Sequence, residues 1–324
     1  MNSAAAPAFV EQVAAYLAHW RALGRQYKQA QWLLEKLLRE LPAIGYDDLT
    51  AESLQRWLDS CKRHHPNTRR ERARILRHFC IFRRRSDPEG FVPGPEIICR
   101  KHPPVTPVIV SAQQIARVLI AADALDPSPN SPLRPATMRM AVVLLYTTGL
   151  RLGELQRLVL GDIEEDGAVL RVRESKFYKT RLLPLSLSTR SELLAYLGRR
   201  ADAGFDTRPT APLLCTRARG RMKAYSISGL QGGVTPLLRD VMASTGQARR
   251  PRLHDLRHSF ALQALARWYR QGADVQAQLP KLAMYMGHVS IESTAYYLRW
   301  TDEIARLASD CFGHHFAATI GGQS

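Results

Sequence analysis

The chain has 324 residues, enough for two domains with a core each, and its 45% hydrophobic content is ordinary for a soluble protein. The apolar run through Ala141 to Tyr146 is too short to span a bilayer, and five scattered cysteines (Cys61, Cys80, Cys99, Cys215, Cys311) lack metal-ligand spacing and fit reduced thiols of a cytosolic protein. The charge is less ordinary: 46 Lys+Arg against 29 Asp+Glu give +17 and a pI near 10.1, which, with no signal peptide or membrane segment, points to nucleic acid as the polyanionic partner.

Phe9, Val13, Tyr16, Leu17 and Trp20 recur at helical spacing and predict a first amphipathic helix. A second is expected over roughly 27–40, on Trp32, Leu34, Leu37, Leu38 and Leu41. A third starts near Ala51, after Thr50, and runs through Leu54, Trp57 and Leu58. The fourth opens on Thr68 with Glu71 three residues later, a capping-box pattern, and buries Ile75, Leu76, Phe79 and Phe82.

From Lys62 to Arg85 this region holds ten Lys/Arg against one acid, Glu71. A basic helical run is usually a solvated face, but this imbalance exceeds what salt-bridge lacing uses and favours phosphate contacts. Lys62, Arg63, Arg69, Arg70, Arg72, Arg74, Arg77, Arg83 and Arg84 are the candidate DNA-binding residues. Residues 1–85 therefore read as an all-helical DNA-binding domain with one cationic surface.

Residues 86–110 carry six prolines with Gly90 and Gly94 and read as an extended, semi-stiff linker. Ser111 with Gln114 then opens a helix through Ile115, Val118 and Leu119. Ala136 to Thr148 is apolar nearly all round, hence a central core helix, stopping at Gly149. A short helix follows in Arg151-Leu-Gly-Glu-Leu-Gln-Arg-Leu158. Ala168–Arg173 alternates as a strand, with Arg181–Leu185 as its partner and Ser175–Lys179 at the turn. Helices are expected at about 189–200 and about 235–245, and 201–233 as irregular chain. Near the end, Gly287 closes one helix, and Ser290 with Glu292 opens another that carries Tyr296 and Tyr297.

A tyrosine held there can serve as a nucleophile if other residues supply positive charge and an acid. Arg151 follows the glycine stop, with Glu154 at i+3 placed to hold its guanidinium. Lys176 lies at the hairpin turn. His254 and Arg257 share a helix face in Leu253-His-Asp-Leu-Arg-His-Ser-Phe260, with His258 one turn from His254, and His288 follows Gly287. Each alone reads more plainly as a surface or structural residue.

In this order they are more specific. The series Arg151, Lys176, His254-x-x-Arg257, Gly287-His288 and a tyrosine nine residues on resembles the tyrosine recombinase (phage integrase) family over about residues 110–300. Thr148-Gly-Leu-Arg151 with Glu154, and His254-Asp-Leu-Arg-His258, follow the family's two arginine boxes. Departures are Ser175 and Phe177 beside Lys176, where the family has glycines, which leaves Lys179 as a second candidate for the hairpin lysine. The interval from Arg257 to Gly287 suggests an extended loop near Arg270–Gln278. Tyr297 is preferred to Tyr296 by its spacing from His288, since adjacent helical residues point apart.

The resemblance implies a mainly α fold with a small antiparallel β-sheet in the catalytic domain (α+β), arranged as a two-domain, C-shaped DNA clamp. Its parts are the helical core-binding domain at 1–85, the linker at 86–110 and the catalytic domain at 111–300. The segment 301–324 reads as a helix and tail, and in such a family docks on a neighbouring protomer. The implied activity is site-specific recombination without metal, ATP or other cofactor, through a 3′-phosphotyrosine at Tyr297 and a Holliday junction, for integration, excision or cointegrate resolution of a mobile element. Arg151, Arg257 and His288 would bind the phosphate, His254 take the proton and Lys176 return one, with Glu154 in support. The implied partners are double-stranded DNA with inverted binding arms and copies of the chain, a dimer per site and a tetramer in the synapse. An accessory protein is left open, no membrane is implied, and the place is the bacterial cytoplasm, on the nucleoid. The competing readings are a non-catalytic DNA- or junction-binding protein and a type IB topoisomerase-like nicking-closing enzyme. A two-metal nuclease would need clustered carboxylates, and Glu164, Glu165 and Asp166 are merely consecutive.

Overall fold

The computed structural model describes residues 6–103, 105–173, 180–218, 220–244 and 249–287. The chain divides into two compact units, Met1–Val105 and Thr106–Ser324.

In the first unit, apolar residues at helical spacing face inward on α1 (Pro7–Ala22), α2 (Lys28–Ala43), α3 (Ala51–Ser60) and α4 (Pro66–Arg83). Their core is Phe9, Tyr16, Leu33, Leu34, Leu37, Leu41, Trp57, Leu76 and Phe79, with Phe79 meeting Tyr16 edge-on at 5.3 Å. Thr50 caps α3 reciprocally with Ser53, whose backbone N–H donates to Thr50 Oγ1 at 3.1 Å. The start of α4 differs from expectation. Pro66 occupies the first turn, its fixed φ suited to that position, and the preceding His65 accepts from the Asn67 N–H at 3.2 Å. Thr68 therefore lies inside the helix, and Glu71 turns to Arg74 (Nη2–Oε1 2.6 Å) rather than back to a cap.

The proline-rich stretch after α4 is irregular rather than extended throughout, with a turn at 88–90 and a 3-10 helix at Pro95–Ile97, and it lies against α4 as far as His102. Its carbonyls lack sheet partners, and side chains of α4 supply them: Arg77 donates to the Pro93 carbonyl at 3.2 Å and Arg70 to the Cys99 carbonyl at 2.6 Å. Asn67 and the His102 backbone exchange two hydrogen bonds, at 3.2 and 2.8 Å. The boundary between the units thus falls at Val105, within the 86–110 stretch.

The second unit is built on α6 (Arg134–Thr148), whose Met138, Ala141, Val142, Leu144 and Leu145 are buried. Around it pack α5 (Ala112–Asp123), α8 (Leu187–Asp202), α9 (Ile227–Ala243) and α10 (Leu253–Arg270), while the short α7 (Leu152–Arg157) follows at its end. Ser111 and Gln114 make the expected capping box of α5. One sheet has the antiparallel order β1 (Ile163–Glu164), β2 (Val169–Val172), β3 (Arg181–Pro184), with Val172 opposite Arg181. The two-residue β1 escaped the pattern because so short a strand has no alternation. So did the hairpin β4 (Cys215–Ala218) and β5 (Arg221–Ala224), within the stretch expected to be irregular, whose strands carry little β-branched residue.

The loop expected near Arg270–Gln278 is corrected to four residues. The intervening length is helix, because α10 continues to Arg270 and α11 (Val275–Met286) starts directly after the connection. Ala261, Leu262, Leu265, Val275, Leu279 and Leu282 bury one another there, which keeps both helices formed. No helix among the described residues is long and apolar enough to cross a membrane.

Candidate active site

The site starts where α6 stops. Gly149 takes φ +62, and a Cβ there would come within 2.6 Å of Phe260, so both backbone and packing require glycine. The chain turns, and Arg151 becomes the N-cap of α7. Glu154, three residues on, accepts from the Arg151 N–H at 2.9 Å and from Arg151 Nη1 at 2.8 Å. The carboxylate is thus buried at the helix start, satisfied by the backbone donor it caps and by the side chain it orients.

Arg257 comes from the first turns of α10 and is 2% exposed. It donates to the Gly149 carbonyl and, at 2.7 Å, to the Met286 carbonyl. Met286 ends α11, and Gly287 at φ +66 provides its left-handed stop. Arg151 Nη2 donates to the Gly287 carbonyl at 2.9 Å. The last carbonyls of α11, which have no intrahelical partner, therefore receive both arginines. Two guanidinium groups, from sequence positions far apart, converge one step before His288.

Burial alone would raise the Glu154 carboxyl, but hydrogen bonds and charge from Arg181 and Arg151 hold it down at about 2. It stays ionised throughout the physiological range. His254 stands at the exposed rim, yet the surrounding protein and then the Arg257 charge push its pKa below the ordinary 6.5. A neutral imidazole at pH 7 can accept a proton. His258 meets it edge-on at 4.7 Å and is pushed down to about 4, by burial and then by His254.

The family model described as phage integrase family matches residues 110–303. The Sinorhizobium fredii protein y4rB (strain NBRC 101917 / NGR234), an integrase/recombinase by name, is 31% identical over 302 residues, covering 93% of this chain and 95% of its own. The chain belongs to the phage integrase family. Tyrosine recombinase XerD of Caulobacter vibrioides (strain ATCC 19089 / CIP 103742 / CB 15) is 29% identical over 311 residues, 90% of each chain. Among solved structures, the Tn1549 transposon integrase in complex with transposon right end DNA shares the fold, with TM-score 0.63 and 17% identity over 93% of this chain and 98% of that one. The protein is thus a tyrosine recombinase, an enzyme of site-specific DNA strand breakage and rejoining.

Of the residues expected to serve this recombinase, the structure brings Arg151, Glu154 and Arg257 together at the end of α11, with His254 on the same helix as Arg257. Lys176, its alternative Lys179, His288, Tyr296, Tyr297 and the 301–324 segment lie outside the described residues.

The DNA-binding set of the first unit needs correction at two positions. Arg72 and Arg83 are buried, at 6% and 8% exposure, so they do not form part of a cationic surface. Arg72 lies over the Trp32 ring and donates to Cys61 Sγ at 3.2 Å, while Arg83 lies over Phe9 and pairs with Asp48 at 2.6 Å. Arg70, Arg77 and Arg84 donate to the Cys99, Pro93 and Gly90 carbonyls. Arg74 pairs with Glu71 and Lys62 with Asp59. Lys62, Arg63, Arg74 and Arg84 are exposed, and Arg69, Arg70 and Arg77 half-buried.

One residue that the structure brings to the candidate site escaped the reading of the sequence. Arg181, the first residue of β3, donates to Glu154 Oε2 at 2.8 Å and to the Tyr285 carbonyl at 2.9 Å. The available signal was strand alternation. Arg181 shares a strand face with Leu183, which is fully buried, and a charge on an inward face requires a partner.

Proposed function

We propose that this recombinase exchanges strands through a covalent intermediate at Tyr297. The tyrosine oxygen attacks the scissile phosphorus, the P–O5′ bond breaks, and a 3′-phosphotyrosine and a 5′-hydroxyl result. The phosphodiester becomes another phosphodiester, so its energy is kept for rejoining and no nucleotide cofactor is needed. Attack by a 5′-hydroxyl of the second duplex reverses the chemistry and, after one strand from each has exchanged, gives a Holliday junction.

The observation that carries this reading is the convergence of Arg151 and Arg257 on the last carbonyls of α11. The pentavalent transition state gathers negative charge on non-bridging oxygens, and planar guanidinium forks suit them. Nearby positive charge also eases proton loss from a phenol of ordinary pKa about 10. His254 takes that proton, Lys176 protonates the departing 5′-oxygen, His288 hydrogen-bonds the phosphate, and Glu154 orients Arg151. The DNA is a site with inverted arms, bound by two protomers per site and four in the synapse, with the 301–324 segment joining neighbours. The setting is integration, excision or cointegrate resolution of a mobile element, in line with the name of y4rB and with the transposon integrase of like fold.

To test this, a binding site is selected from random-sequence duplexes by rounds of protein capture. It is then rebuilt as suicide duplexes nicked at successive positions across its centre. Wild type and Tyr296→Phe are expected to give a denaturation-resistant protein–DNA adduct, and Tyr297→Phe none. Loss in Tyr296→Phe alone moves the nucleophile by one residue. Absence of any wild-type adduct on a tightly bound site overturns the covalent reading in favour of a DNA-holding role.

A further inference from the structure

Arg181 has no part in the steps above, yet it is built into the site. Its side chain is 10% exposed, and among the described residues it hydrogen-bonds Glu154 and the Tyr285 carbonyl. Nη2 donates to Glu154 Oε2 at 2.8 Å, Nη1 to Glu154 Oε1 at 3.2 Å and Nε to the Tyr285 carbonyl at 2.9 Å. Each Glu154 oxygen therefore accepts from Arg181 and also from Arg151, on Nη1 or on the backbone N–H. The guanidinium also lies against the α11 stop: a Cβ on Gly287 would come within 2.8 Å of Arg181 Nη1.

We infer that Arg181 is a positioning residue for strand cleavage, holding Glu154 and the end of α11 so that Arg151 presents its charge to the phosphate. The inference rests on the reading of Arg151 as a phosphate-binding residue. Its physical basis is a charge count. Glu154 and Arg151 alone make a neutral pair, which attracts an anion weakly. With Arg181 on the same carboxylate the group of three carries one net positive charge, and Arg151 is oriented by Glu154 without being neutralised by it. The bidentate fork also fixes the carboxylate plane, which leaves Arg151 one way to meet it. Through the Tyr285 carbonyl the same guanidinium ties the start of β3 to the last turn of α11.

The test uses the full-length protein and a suicide duplex that the wild type cleaves. It compares Arg181→Met, Arg181→Lys, Glu154→Gln and the double variant Arg181→Met with Glu154→Gln. Arg181→Met is expected to bind the duplex within about threefold of wild type while single-turnover cleavage falls ~30-fold, a loss confined to the transition state. A merely structural residue gives a different pattern, with thermal midpoint, binding and cleavage falling together. The double variant is the sharper readout. Removing the carboxylate that neutralises Arg151 once Arg181 is gone returns the Arg151 charge, and cleavage recovers at least ~5-fold over Arg181→Met. Arg181→Lys keeps the charge and the fold but loses the fork, and is expected to cleave ~10-fold slower than wild type. Cleavage at the wild-type rate in Arg181→Lys or Arg181→Met, or a double variant no faster than Arg181→Met, overturns the inference alone. Failure of the wild type to form any adduct overturns the phosphotyrosine reading beneath it.

Discussion

Arg83 of α4 and Arg257 of α10 are both nearly inaccessible, at 8% and 2% exposure, and they meet different partners. Arg83 closes on the Asp48 carboxylate at 2.6 Å between the rings of Phe9 and Phe79, so its charge is cancelled where it is buried. Arg257 donates to main-chain carbonyls at the ends of α6 and α11, dipoles that orient its guanidinium. Arg72 is buried like Arg83, with its guanidinium against an indole face and a sulfur in place of a carboxylate. Arginine count therefore says little about where an anion binds. Arg72 and Arg83 complete the framework of the first unit, as Arg200, held by the Asp206 and Pro212 carbonyls, does that of the second, whereas Arg257 lies at the α11 end.

The contrast is most exposed to failure at Arg257. Lysine there keeps the charge but cannot reach the Gly149 and Met286 carbonyls together, and it offers no planar fork to a phosphate. Arg257→Lys is expected to lower single-turnover cleavage by ~10³, with duplex binding little changed, since one preorganised donor group is worth ~10²–10³ in rate. Adduct formation within tenfold of wild type would show that carbonyl-held burial does not mark a working arginine.

Arg83 gives the converse. Arg83→Met leaves Asp48 without its buried partner and should destabilise the first unit by about 2 kcal/mol, below the 3–5 of a fully buried pair because Asp48 is partly exposed. A denaturant midpoint reads this directly. Cleavage at saturating DNA should stay within about threefold of wild type. A cleavage defect without loss of stability would place Arg83 with the functional arginines instead.

These two residues also mark what could be read from the chain itself. The glycine stops at Gly149 and Gly287, the Ser111–Gln114 box and the Arg151–Glu154 and His254–Arg257 pairs were legible because each follows a local rule of spacing or capping. Arg72 and Arg83 were misread because the inward stripe of α4 was drawn through apolar residues alone. Their positions fit it, since 72, 76, 79 and 83 step by three or four, but the partners that make burial tolerable come from Trp32, Cys61 and Asp48 on other elements. Arg181 was missed for the same reason, as its carboxylate partner lies across the fold on α7. A short strand with few β-branched residues, such as β5, gives no periodicity to read. Local rules read most caps and stops, although Pro66 displaced the Thr68–Glu71 box from the start of α4, and long-range charge pairing was not legible.

The smallest expected effect separates exposed from buried cations within the basic region itself. Arg63 is exposed, and if that end of the region faces DNA it acts through counterion release alone. Arg63→Ala is then expected to leave thermal stability and saturated cleavage unchanged, while the slope of log affinity against log salt falls in magnitude by about 1. Arg72→Ala should do the opposite, lowering the midpoint by removing a packed guanidinium from Trp32 and leaving the slope as it was. Equal salt slopes for wild type and Arg63→Ala would move the phosphate contacts to other cations of the chain. The +17 surplus would still point to a polyanion, but this end of the basic region would be a solvated face.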